Sequence, residues 1–159
     1  MKGIQKIGLG LLLIFTTFGT TAQKADSYTI TKQPKVFLIG EQPETFENLS
    51  MKYQKLLLEV CNDDMNQAYT KWQDMLKAME SHATGMGFDI KGIKLWLKVF
   101  WDKDGSIAHI GYHLKPDSKN VKTKYLSAFL RDFAKSYKTP CEATEKFSQY
   151  SSASFPTSM

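Results

Sequence analysis

The chain has 159 residues, carries 21 Lys and Arg against 16 Asp and Glu for a net charge of +5, and contains two cysteines. Its 42% hydrophobic and 13% aromatic content is that of a globular chain able to bury a core without metal or a disulfide framework. The lysines are scattered, as at Lys91, Lys98, Lys119 and Lys124, which reads as a solvated surface and argues against a nucleic-acid partner.

At the N-terminus, Lys2 and Lys6 precede an apolar run from Ile7 to Phe18, and Thr20-Thr21-Ala22 supplies the small residues that precede a cut. This pattern predicts a cleaved signal peptide over 1–22. The apolar run falls short of the roughly 20 residues a spanning helix needs, and no cysteine near the cut offers a lipid attachment point. The expectation is an exported protein, periplasmic or secreted, with no membrane span after cleavage.

Residues 23–48 read as an N-terminal arm, and 49–159 as a single domain without repeats or low-complexity linkers. Within 28–40, two β-branched and aromatic runs are interrupted at Gln33-Pro34, which predicts an extended arm or edge strand. Tyr53, Leu56, Leu57 and Val60 recur at helical spacing and predict a helix over 49–60, with a strand through Leu56-Leu57-Leu58 as the alternative. Asn62, Asp63 and Asp64 offer capping oxygens to a helix over 62–84. Its apolar stripe is Met65, Tyr69, Trp72, Met75, Leu76, Met79 and Ala83, and Gly85 and Gly87 end it.

From Ile93 to Trp101 the period changes to two, with Ile93, Leu95, Leu97, Val99 and Trp101 on one face and Trp96 and Phe100 on the other. Asp102-Lys103-Asp104-Gly105 turns the chain into a second strand over 106–114. Its apolar residues Ile107, Ile110, Tyr112 and Leu114 break parity, which a β-bulge near Ala108 or His109 reconciles. Thr123 is placed to cap a helix carrying Leu126, Phe129, Leu130, Phe133, Ala134 and Tyr137, which Thr139-Pro140 stops. The last predicted strand is 147–155.

The resulting order, helix-strand-strand-helix-strand, joins with KGIKLWLKVFWDKDGSIAHIGYHL and the terminal ASFP to resemble the C-terminal domain of TonB-type energy transducers. That resemblance covers roughly residues 62–156. It implies an α+β fold, a three-stranded antiparallel sheet packed against two or three helices. It also implies a periplasmic module that recognises a protein or peptide of the cell envelope by adding a strand to its own edge, at Ser148, Tyr150, Ser152 and Ser154. The chain departs from that family in having neither a retained anchor nor a Pro-rich spacer. Thr139-Pro140-Cys141 stands where the family has Trp-x-Pro-Gly, so energy transduction is not expected. Val60 to Met65 and Tyr150 to Pro156 also resemble segments of secreted proteins of Gram-negative bacteria, which implies no function.

Candidate chemistry is sparse. His109 and His113 share a strand face but lie about 13 Å apart along it, so with His82 they predict no metal site. Asp102, Asp104 and Gly105 echo a calcium loop without its later ligands. Ser151, Ser152 and Ser154 lack a nucleophile-elbow context, Asp63 and Asp64 suit helix caps, and Asn48-Leu49-Ser50 matches a glycosylation acceptor. No cofactor is predicted. Cys61 and Cys141 either join, closing a loop of about 80 residues for roughly 4 kcal/mol, or remain separate buried thiols. Trp96 and Phe100 form either an exposed binding face or a face covered by the arm through Val36, Phe37 and Leu38. The pattern favours a non-enzymatic binding module; the alternative is a small secreted hydrolase or inhibitor-like factor.

Overall fold

Alternating Leu95, Leu97 and Val99 build the central strand of the protein, β3 (Lys94–Trp101), with all three side chains fully buried. In the computed structural model, which describes residues 32–157, β3 is paired along both edges. On one side it meets β4 (Ile107–Leu114), antiparallel, from Leu95↔Leu114 to Phe100↔His109; on the other it meets β5 (Phe147–Ser154), antiparallel, from Lys94↔Ser154 to Trp101↔Phe147. The register slips at Phe100/Trp101, leaving Ala108 as the extra residue, and this bulge puts Ile107, Ile110 and Tyr112 all in the main core. The predicted signal peptide and the arm up to Thr31 lie outside the described residues.

The three-stranded antiparallel sheet expected from the sequence is corrected to a five-stranded mixed sheet of order β1-β4-β3-β5-β2. β1 (Val36–Leu38) runs parallel to β4, and β2 (Lys55–Leu56) runs parallel to β5. β1 falls within the 28–40 stretch read as an extended arm or edge strand and β2 touches the alternative strand reading at Leu56, but strands of three and two residues are too short for a period to show their pairing. Both flanking strands come from the segment expected to be arm and helix. Between them lies α1 (Pro43–Lys52), which begins with proline at its first turn, where the missing N–H costs nothing.

The predicted helix over 49–60 is therefore two helices. The backbone leaves helical geometry at Tyr53 and resumes in a single turn, α2 (Leu57–Val60), where the Glu59 carboxylate accepts from the Leu56 N–H at 2.6 Å. Asn62 and Asp63 take positive φ, a conformation these residue types adopt more readily than most. Only Asp64 caps α3 (Met65–Met86), its carboxylate accepting from Gln67 N–H at 3.0 Å. Gly87, in the left-handed conformation, ends that helix, and Gly85 lies within it. α4 (Thr123–Ser136) has Lys122 rather than Thr123 at its N-cap, and it stops before Thr139.

Two apolar layers result. On one face, α3 and α4 bury Trp72, Met75, Leu76 and Met79 and Leu126, Phe129, Leu130 and Phe133 against the sheet. On the other, Leu49 of α1 joins Phe37, Tyr53 and Phe100 in a smaller cluster flanked by Phe46 and Ile39. Met65 and Tyr69, expected on the buried stripe of α3, are 66% and 63% exposed. No helix among the described residues is long and apolar enough to cross a membrane.

Candidate functional site

β2 covers very little of β5. Its two residues pair with Phe147 and Ser148, and among the described residues no strand or loop backbone bonds to the outer edge of Gln149–Ser154. Six residues of unpaired edge amount to roughly 20 Å at about 3.3 Å per residue. Native sheets usually blunt such an edge with charge, proline or a covering loop. Here the edge carries Gln149, Tyr150, Ser151, Ser152, Ala153 and Ser154, none of them charged and none proline.

Beside this edge, between β5 and α3, runs a groove of about 320 Å³. Its walls are Leu56 of β2, Leu58 of α2 and Met65, Ala68, Tyr69 and Trp72 of α3, facing Gln149 and Ser151 of β5. Leu56, Met65 and Tyr69 are all exposed, three large apolar side chains gathered at one place rather than scattered singly. The Trp72 indole N–H is buried and has no acceptor among the described residues, in a protein interior where such donors are nearly always satisfied.

The four β5 residues singled out in the sequence fare differently. Ser148 is fully buried and donates to the Tyr53 carbonyl at 2.8 Å, so it belongs to the paired part of the strand. Tyr150 is exposed, with its ring 5.9 Å from Trp96 and 6.3 Å from Phe46. Ser152 accepts from Lys115 Nζ at 2.5 Å, and the same ammonium lies 4.6 Å from the Trp96 ring centre. Ser154 is exposed at the end of the strand. The sequence reading missed the α3 side of the groove, because Met65, Tyr69 and Trp72 share one helical stripe and the spacing cannot tell which members stay exposed.

Trp96 and Phe100 separate. Phe100 is fully buried under Tyr53, at 5.3 Å and 67°, together with Leu49 and Phe37. Of Val36, Phe37 and Leu38, only Phe37 joins this cluster, with Ile39 and Phe46 flanking it; Val36 and Leu38 belong to the main core. Trp96 is 38% exposed and stands with Tyr150.

Other candidate groups have local partners. His82 lies 3.0 Å from the Asp132 carboxylate, and His109 Nδ1 is 2.8 Å from the Pro34 carbonyl. His113 lies on β4 opposite Trp96. Asp104 accepts from the Ser106 N–H and hydroxyl at 3.1 and 2.6 Å, which together with Lys138 holds its carboxyl at about 2. Among the described residues no cluster of three potential metal ligands occurs, and no serine or cysteine is hydrogen-bonded to a histidine. Cys61 is a buried free thiol and Cys141 a half-buried one. Burial pushes the Cys61 thiol up, and the charge of Cys141 adds to that, so the two are electrostatic neighbours. Lys71 of α3 donates to the Pro140 carbonyl at 3.1 Å and holds the Cys141 segment near α3.

No protein-family model matches the chain, nor does any curated protein or any solved structure.

Proposed function

We propose that this protein is a non-enzymatic module of the cell envelope or exterior that binds an extended protein or peptide segment by strand addition to β5. The observation that carries this reading is the unpaired edge of Gln149–Ser154 lying against an apolar groove. In strand addition, main-chain hydrogen bonds give affinity and pockets for alternate side chains give specificity, and this site offers both elements. A segment laid along the edge would set one row of side chains into the groove, against Met65, Tyr69 and Trp72. The other row would lie on the Tyr150 and Trp96 side, where Lys115 favours an acidic or carbonyl-bearing residue. Export is supported by the basic, apolar and small-residue sequence of 1–22.

The test is NMR titration of the protein with short synthetic peptides that alternate apolar and polar residues. Saturable movement of the 149–154 amides and of the Trp72 indole N–H is expected, lost when alternate peptide nitrogens are methylated. Met65→Glu and Tyr69→Glu, both at exposed positions, should leave the fold intact and weaken binding at least tenfold. Unmoved amides, or equal affinity for the methylated peptides, would refute strand addition. Finding Gln23 as the first residue of the protein in an envelope or medium fraction checks export.

A further inference from the structure

A second cavity, of about 530 Å³, lies at the end of the sheet where β3 enters its turn and β4 begins. Its size falls within the roughly 300–1,000 Å³ of small-molecule sites. Four of the six cations lining it are lysines from three segments outside α4: Lys32 and Lys35 before β1, Lys52 at the end of α1 and Lys146 before β5. Arg131 and Lys135 of α4 complete the set, and Asp102 is the single carboxylate among the lining residues. That carboxylate lies 2.9 Å from Lys146 Nζ, so it offsets one of the six positive charges and leaves the rest without an acidic partner among the described residues.

Like charges converging on one cavity from distant parts of the sequence repel, and the repulsion is relieved only by solvent or by a bound anion. The lining is not made of charged side chains alone. Tyr53 and Ala108 contribute apolar surface, and His109 presents an imidazole whose Nδ1 is committed to the Pro34 carbonyl. A carbonyl only accepts, so Nδ1 carries the proton, and Nε2 has no hydrogen-bond partner among the described residues. Lys35 is fixed by donation to the Ile107 carbonyl, which places its ammonium at the cavity without the entropy cost of a free side chain.

From this convergence of cations around a half-buried imidazole, we infer that the cavity is a binding site for a phosphate-bearing anion. Arg131 supplies a planar fork suited to two phosphate oxygens, and the lysines act as point charges around it. The groups facing His109 set the sign of a linked titration. Burial comes first and holds its pKa below 6.5, with Lys35 and Lys52 acting in the same direction and the Pro34 carbonyl and Asp102 opposing. A bound anion adds attraction for the protonated ring and raises that pKa.

The experiment titrates the protein with tripolyphosphate while the His109 imidazole is followed by NMR. It also measures co-sedimentation with phosphatidylcholine vesicles containing one-fifth phosphatidic acid. Saturable binding with a raised His109 pKa supports the site. Binding of tripolyphosphate without sedimentation assigns a soluble phosphate compound; sedimentation assigns a lipid headgroup. Lys52→Glu with Arg131→Glu, both exposed positions, should cost at least tenfold in either arm, and Lys52→Arg with Arg131→Lys should retain binding. No saturable response in either arm, or affinity indifferent to the charge reversal, would overturn the inference. The peptide titrations of β5 are read at other residues, so either result stands without the other.

Discussion

Gly105 turns the β3–β4 hairpin at φ +84°, and a Cβ built there would lie 2.4 Å from the Thr139 carbonyl oxygen and 2.9 Å from that of Cys141. Even a close C–H···O approach needs about 3.3 Å, so Gly105→Ala forces the 139–141 backbone back by about 1 Å. That backbone is tied to the turn: Thr139 N–H donates to the Gly105 carbonyl at 3.0 Å, Ala143 N–H donates to the Lys103 carbonyl at 2.9 Å, and Thr139 is buried. The left-handed backbone costs an alanine roughly 1–2 kcal/mol, and loss of the Thr139 bond adds about 1 kcal/mol. Gly105→Ala is therefore expected to destabilise by about 2–4 kcal/mol, read as a lower urea midpoint at unchanged slope in tryptophan fluorescence. Gly105→Asn separates the two causes, because asparagine tolerates positive φ but still carries a Cβ. It should recover about 1 kcal/mol of the alanine loss and no more. An asparagine variant as stable as the wild type would show that the packing of 139–141 against the turn does not hold the protein together.

Phe100→Ala removes the centre of the smaller apolar layer and should cost about 3–5 kcal/mol in the same urea assay; a loss under about 1 kcal/mol would mean that α1 does not cover it. For pH, the pKa of His109 in the folded protein lies below its ordinary 6.5, so the stability it contributes is complete above 6.5 and is lost as pH falls through the folded value. His109→Asn, which keeps a donor for the Pro34 carbonyl, should flatten the fall in thermal midpoint between 6.5 and the range where carboxylates titrate. A wild-type midpoint already flat across that window would contradict the shift. Alkylation of the native protein with iodoacetamide should label half-buried Cys141 well before buried Cys61, with mass mapping as the readout; equal rates would show that Cys61 is open.

The long, strongly patterned elements were legible in the sequence. Leu95, Leu97 and Val99, and the stripe from Leu126 to Phe133, repeat over enough residues for burial to dictate a single period, and the DKDG turn carries its own chemistry. The flanking strands were legible only in part: 28–40 read as an extended arm or edge strand and Leu56 as part of an alternative strand, but their parallel pairing with β4 and β5 is set by register that no local pattern shows. The family resemblance pointed to the last strand's edge, but the groove beside it was hidden. Gln149 and Ser151 read as ordinary strand residues, and only the sheet order makes their backbone an edge. The cations of the second cavity are spread from Lys32 to Lys146, and no local pattern brings them together.

The placement of β1 and β2 has a consequence for the order of events at birth. Both are made before the residues they pair with, Ile110–Tyr112 and Phe147–Ser148, and the last partner sits near the end of the chain. β2 cannot take its final place until Phe147–Ser148 has been made, because this contact is long-range and closes late. Under the export proposed above, a β2 segment that pairs late would stay threadable through a membrane pore for longer. Joining residues 147–157 ahead of residue 32 by circular permutation should then hasten folding.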